Sequence, residues 1–207
     1  MANSTAKDNI LKRIKQALVN PVPLPFPLSE GSGSVFPQPA DYLEVIFAEQ
    51  FTGLQGKFAW CTDATDLQLQ VQQLFADKNW TKIYCSENQW NLSFIDTSDL
   101  AGCEASVTGC ELLVARTGTV VMSTALPGGR TVSVYAPVHI CIAYTNQLVY
   151  DIKDALQLLK EKYSGNFPSL ITFASGPSRT ADIEKTLVTG VHGPKEVYLF
   201  LVDSASA

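Results

Sequence analysis

Between Lys57 and Cys85 the chain passes from a strand-like run, Lys57 to Cys61, through a stretch with Leu67, Val71 and Leu74 at helical spacing, Asp66 to Phe75, to a second strand-like run, Lys82 to Cys85. Two strands separated by a helix close compactly in few ways, and the usual one lays the strands parallel with the helix across them. That order predicts a layered α/β fold. Further on, Thr119 to Met122 and Thr131 to Tyr144 read as strands around the turn signal Leu126-Pro127-Gly128-Gly129. This spacing predicts a hairpin, so antiparallel pairing joins the parallel unit. A helix from Gln147 to Tyr163, with Leu148, Ile152, Ala155 and Leu159 in register, is followed by a strand from Leu170 to Ala174. A helix from Ser178 to Leu187 and a last strand from Val197 to Val202 complete the pattern. The expected architecture is α/β, an open mixed sheet with flanking helices.

Before this body, Ile10, Leu11, Ile14 and Leu18 recur at helical spacing and predict a short amphipathic helix that ends ahead of Pro21. Six prolines follow between Asn20 and Ala40, interspersed with Gly31 and Gly33 and three serines. Such a stretch favours extended geometry first and a flexible tether afterwards. The helix can therefore pack on a partner subunit or on its own domain. A second helix is expected from Tyr42 to Phe51, so the chain divides into a helix and arm, 1–40, and an α/β domain, 41–207. The composition, 46% hydrophobic and 17% charged, excludes disorder for the body.

A net charge of -5, with no basic cluster beyond Lys160 to Lys162, offers no footprint for a phosphate backbone and argues against nucleic acid as a partner. No window approaches the run of about 20 apolar residues that a membrane span needs, so a cytoplasmic protein is expected. The five cysteines, Cys61, Cys85, Cys103, Cys110 and Cys141, are odd in number and irregularly spaced, which predicts no disulfide framework. With two histidines and no C-x-x-C, no metal or iron-sulfur site is expected in this chain.

Three segments go beyond what core packing requires. In the first, Thr108-Gly109-Cys110-Glu111 has capping-box spacing and predicts a short helix running into Arg116-Thr117-Gly118-Thr119. Hydroxyls and a glycine backbone there could donate to an anion or an acyl oxygen, with Arg116 as a catalytic candidate and Thr117, Gly118 and Thr119 as ligand-binding ones. An ordinary helix-to-strand turn fits the same residues. The second segment runs from Ser175 to Glu184 between a strand and a helix, where exposed amides can hold a ligand. Its candidates are Gly176, Ser178, Arg179, Thr180, Asp182 and Glu184. Ser178 or Thr180 would cap the helix in either reading, and Asp182 and Glu184 disfavour a bare phosphate by bringing negative charge into its first turn. In the third, Gly190-Val191-His192-Gly193-Pro194 places a histidine in a glycine-flanked loop, where His192 is a candidate general acid or base and Gly193 a ligand contact. His139, inside the strand run Val138 to Ile140, reads as structural.

These segments, taken in order with Pro137-Val138-His139-Ile140 between the first and second, resemble the lactate utilisation protein C family, the LUD domain family, over roughly Cys103 to Asp203. The resemblance implies a sugar-phosphate isomerase and CoA-transferase-like fold. It also implies a part in oxidising L-lactate to pyruvate together with an iron-sulfur protein and a second subunit. The iron-sulfur subunit of such systems carries ferredoxin-type cysteine runs that this chain lacks, so the clusters are expected in a partner and no cofactor in this chain. The alternative is a stand-alone enzyme or binding protein for an acyl, CoA or sugar-phosphate ligand, with a small carboxylate or a phosphorylated compound in the loops.

Overall fold

The computed structural model describes residues 6–19, 36–90, 92, 99–180 and 188–204. The chain forms two units, Met1–Gln38 and Pro39–Ala207. In the first, α1 (Ala6–Ala17) carries Ile10, Leu11 and Ile14 on its surface and buries none of its residues.

The second unit opens with α2 (Leu43–Gly53), β1 (Lys57–Cys61) and α3 (Ala64–Lys78). Asp63 caps α3 by accepting from the amides of Thr65 and Asp66 at 2.7 and 2.8 Å, and Asn79 ends it in a left-handed turn. Next come β2 (Ile83–Cys85), β3 (Ala105–Thr108), β4 (Leu112–Val114), β5 (Thr119–Ser123), the single turn α4 (Val132–Tyr135) and β6 (Val138–Tyr144). The remaining elements are β7 (Leu148–Val149), α5 (Ile152–Lys162), β8 (Ile171–Ala174), β9 (Arg179–Thr180), β10 (Val188–Thr189) and β11 (Glu196–Val202).

The strands make a five-stranded sheet of order β1-β11-β6-β3-β2, parallel throughout, and a smaller sheet of order β7-β4-β5-β8. In the smaller sheet β5 is antiparallel to β4 and β8, while β7 is parallel to β4. The expected open α/β architecture with parallel and antiparallel pairing is thus present, with the antiparallel pairing outside the large sheet, in the smaller sheet and in a β9–β10 ribbon.

Strand periodicity sorts the core into layers. Ile140 and Ile142 of β6, with Phe200 and Val202 of β11, pack against Leu67, Val71 and Phe75 of α3. Cys141 and Ala143, with Leu199 and Leu201, face the other way onto Leu113, Val120 and Met122 of the smaller sheet and Phe47 and Phe51 of α2. The far face of the smaller sheet presents Val114 and Val121 to Ala155 and Leu159 of α5. The large sheet is covered on both faces, as a parallel sheet requires, and its central strands are accordingly apolar.

Four expected elements differ. The helix beginning at Thr108 is absent: β3 ends there and Leu112–Val114 is a strand paired with β5. Thr108 and Glu111 spend their side chains elsewhere, the first on His139 and the second in a buried carboxylate site. The hairpin around Pro127 and Gly128 is replaced by α4, because β5 finds its partners in β4 and β8 while β6 joins the parallel sheet. The antiparallel turn lies instead at Arg116-Thr117-Gly118, where Gly118 takes φ 56°. The helix expected from Gln147 begins only at Ile152, after β7, with Asp151 as its cap. Finally, Arg179–Thr180 pairs with Val188–Thr189 as a ribbon, so no helix starts at Ser178; residues 181–187 lie outside the described residues.

Glu111 ties the smaller sheet to α5. Its carboxylate is fully buried and accepts from Lys162 Nζ at 2.7 Å, Tyr163 OH at 2.6 Å and the Ser123 hydroxyl. Burial alone would push this carboxyl up, but the hydrogen bonds from Lys162, Ser123 and Tyr163 outweigh it and hold it below its ordinary 4.5. The stabilisation is present above that value and is lost as the pH falls through the folded one. Lys162→Met is expected to cost about 1–2 kcal/mol at pH 7, discounted for the exposed ammonium. That cost should shrink below pH 4.5 when unfolding in urea is followed against pH.

Gly118 carries a second constraint. A Cβ there would stand 2.5 Å from the Phe51 amide nitrogen and 2.7 Å from the Gln50 carbonyl carbon, so the backbone of α2 rests directly on this glycine. Gly118→Ala should destabilise by roughly 2–4 kcal/mol in denaturant titration, since strain and a backbone clash combine. Gly102→Ala is the control, having φ 81° but nothing within 4 Å of its Cβ, and should lose only about 1 kcal/mol.

Candidate functional site

Val120 and Met122 of β5 stand beside Ala174 and Thr172 of β8 in register, on the face turned towards the large sheet. Across from them, His139 and Val197 are neighbours near the amino-terminal ends of β6 and β11. Between these walls lies a cavity of about 160 Å³. A single water needs only about 10–15 Å³ by the same measure, so the space suits a small molecule. Ser133 and Val134 of α4 close one side, and Gly176, Ser178, His192, Gly193 and Pro194 close the other.

The loops are held together by backbone bonds. The Ser178 amide donates to the Pro194 carbonyl at 2.9 Å, and the Gly190 amide donates to the Ser178 carbonyl at 3.0 Å. Gly176 has φ 77°, and a Cβ there would meet the Leu54 carbonyl oxygen at 2.6 Å, so the turn after β8 accepts only glycine. Two segments far apart in sequence, 175–178 and 190–194, thereby share one cavity.

Depth grades the lining. Val120, Met122, His139 and Val197 are buried, Ser133, Gly176, Ser178 and Gly193 are half-buried, and Val134 and His192 are exposed. At the inner end, His139 Nε2 lies 2.7 Å from Thr108 Oγ1, itself buried. Burial pushes the imidazole down to about 4, so it is neutral at physiological pH and offers one donor and one acceptor nitrogen. Among the described residues, no Lys, Arg, Asp or Glu lines the cavity. The site can exchange hydrogen bonds with a small polar group and pack an apolar one.

Of the sequence candidates, Gly176, Ser178, His192 and Gly193 meet at this cavity. Thr119 stands behind it, its Oγ1 2.7 Å from Ser175 Oγ and 2.8 Å from Thr117 Oγ1. Arg116 is directed to Asp151 at the start of α5, with Nε 2.7 Å from Oδ2, and this bond first of all holds the Asp151 carboxyl below its ordinary range. Gly118 meets α2. Arg179 donates to the Leu54 carbonyl, and Thr180 pairs with Val188. Asp182 and Glu184 lie outside the described residues. His139, expected as a structural residue of its strand, is buried as such a residue would be and also lines the cavity. The available signal was a lone imidazole on a strand apolar on both faces, where a polar side chain needs a partner.

The depressed His139 value ties stability to pH. Because the unfolded histidine titrates near 6.5 and the folded one near 4, stability is complete above 6.5 and declines as the pH falls towards 4, by about 3 kcal/mol. His139→Leu removes this component. Between pH 7 and pH 4 the difference in unfolding free energy between the two proteins should move by that amount in favour of the variant; an unchanged difference would show that the folded imidazole titrates normally.

Comparison with known proteins adds identity to the geometry. Residues 96–202 match the LUD domain model, a range that includes every residue lining the cavity. A lactate utilization protein C of Bacillus licheniformis is 38% identical over 100 residues, 47% of this chain and 42% of the relative. Its counterpart in Bacillus subtilis is 35% identical over the same shares, and an uncharacterized protein of Neisseria meningitidis is 32% identical over 113 residues, 55% of this chain and 46% of the relative. The aligned stretch spans less than half the length of these curated relatives. A crystal structure of a DUF162 family protein from Deinococcus radiodurans superposes with a TM-score of 0.60 at 16% identity, covering 79% of this chain and 99% of that one, which shows a shared fold. Since residues 96–202 make up more than half of the 207-residue sequence, the chain belongs to the LUD domain family.

Proposed function

We propose that this chain works in lactate utilisation in the cytoplasm, as a component that receives lactate or pyruvate in the cavity between the two sheets. The observation that carries the reading is the coincidence of the family match with the cavity: all of its described lining residues fall within 96–202, and relatives named lactate utilization protein C are 31–38% identical to this chain over 98–119 residues. Among the described residues the lining holds no lysine or arginine, which, together with a volume of about 160 Å³, favours a small organic acid over a phosphate ester. Converting L-lactate to pyruvate releases two electrons and two protons, and the acceptor in this reading is an iron-sulfur protein that binds this chain.

The test is a tagged copy of the full chain recovered from cells of its own species grown on L-lactate. An iron-sulfur protein should co-purify, and the eluate should reduce a dye only when L-lactate is added. Deleting the gene should abolish growth on L-lactate as sole carbon source; normal growth of the deletion strain would sink the proposal.

A further inference from the structure

The cavity is chemically lopsided. Its inner end is made by Val120, Met122 and Val197 around His139, which is 3% exposed, and its rim by His192 with the half-buried Ser178 and Gly193. His139 is fixed through Nε2 by the Thr108 hydroxyl at 2.7 Å, which leaves Nδ1 as the ring nitrogen for a ligand. Among the described residues no protein group hydrogen-bonds Nδ1. His139 lines the cavity, so a ring nitrogen without a protein partner can meet a small molecule there.

We propose that His139, held by Thr108, recognises the 2-oxygen of a short 2-hydroxy or 2-oxo acid bound with its methyl end inward and its carboxylate at the His192 rim. The inference rests on the reading that the cavity receives lactate or pyruvate, and assigns within it the residue that separates such acids from plain carboxylic acids.

The chemistry follows from the residues in place. A carboxylate carries full charge and loses hydration at the inner end, where the described lining gives it no cation. A hydroxyl or a carbonyl is uncharged and needs one hydrogen bond, which an imidazole provides in either tautomer: Nδ1–H donates to a carbonyl, and unprotonated Nδ1 accepts from a hydroxyl. The Thr108 hydroxyl follows each tautomer, donating to Nε2 in the first and accepting from Nε2–H in the second. The pair therefore accommodates both the reduced and the oxidised acid with the imidazole neutral in each case. Met122 and Val197 supply apolar contact for the methyl end. His139 touches the ligand in this arrangement, whereas Thr108 acts through it as a positioning residue.

The experiment is titration calorimetry of the full chain with L-lactate, pyruvate and propionate, the last having the same carbon count and charge without the 2-oxygen. The wild type should bind L-lactate and pyruvate about tenfold more tightly than propionate, the discrimination expected of one hydrogen bond to a group otherwise left unpaired. His139→Leu should abolish that preference while leaving propionate binding within about twofold. Thr108→Val keeps the imidazole and guards against a folding defect in the first variant; it should lower the preference part-way. His192→Ala should weaken all three acids by a common factor, because it meets the carboxylate they share. Equal binding of lactate and propionate by the wild type, or a preference that survives in His139→Leu, overturns this assignment while the lactate reading stands. Absence of binding by all three acids at millimolar concentration overturns both.

Discussion

Burying β6 on both faces while pairing it along both edges is the constraint on which the rest of the second unit depends. Val138–Tyr144 has β11 on one side and β3 on the other, so its backbone groups are satisfied by parallel neighbours that must themselves be apolar. Its even-numbered residues Val138, Ile140 and Ile142 build the α3 core, while Cys141 and Ala143 build the core against the smaller sheet. A small residue at 141 and another at 143 let the smaller sheet come close. His139, on the same side as these two, has to be neutral and hydrogen-bonded because charge at that depth is unaffordable, and Thr108 on the adjacent strand provides the bond.

The smaller sheet is placed by its tightest turn. Gly118 leaves room for the α2 backbone, Arg116 reaches the cap of α5 through Asp151, and Thr119 links to Ser175 at the end of β8. One turn thus fixes a helix on each side of the sheet and the start of the loop that contributes Gly176 and Ser178 to the cavity. A residue at such a junction can alter the cavity without touching what occupies it, which is why the effects of Arg116 or Gly118 substitutions have to be separated from direct ligand contact.

The parts of the fold legible in the sequence were those whose periodicity had one solution. Lys57–Cys61 is a strand as expected, and Leu67 and Val71 of the expected α3 face are buried, while Leu74 is half-buried and Phe75 takes the next core position. The last strand extends its expected range by a single residue, Glu196. Local signals failed where long-range partners outbid them. Thr108 and Glu111 have the spacing of a helix cap, yet a histidine 31 positions away and a lysine 51 positions away take their side chains. Pro127-Gly128-Gly129 does make a turn, with Gly129 at φ 56°, but which strands flank it was decided by β4 and β8. The loops around Gly176 and His192 stood out from their glycines. That they face each other was not legible, since it depends on the bonds between Ser178, Pro194 and Gly190.

The location of the cavity bears on what it can hold. Open parallel sheets usually bind ligands beyond the carboxyl ends of their strands, where helix amino termini gather and their amides attract anions. In this chain the buried Glu87 carboxyl, pushed up from its ordinary range by burial, stands beyond the ends of β2 and β3 and accepts the Gly109 amide at 2.7 Å, already drawing on the donor at that edge. The two-histidine cavity lies at the opposite ends of β6 and β11, beside a helix of a single turn, and draws its polarity from hydroxyls and neutral imidazole. Such a site distinguishes ligands by where their hydrogen-bonding atoms fall and has little long-range attraction for charge. Selectivity for the position of one oxygen on a small acid is the kind of recognition this arrangement supports, and strong retention of a phosphorylated compound is the kind it does not.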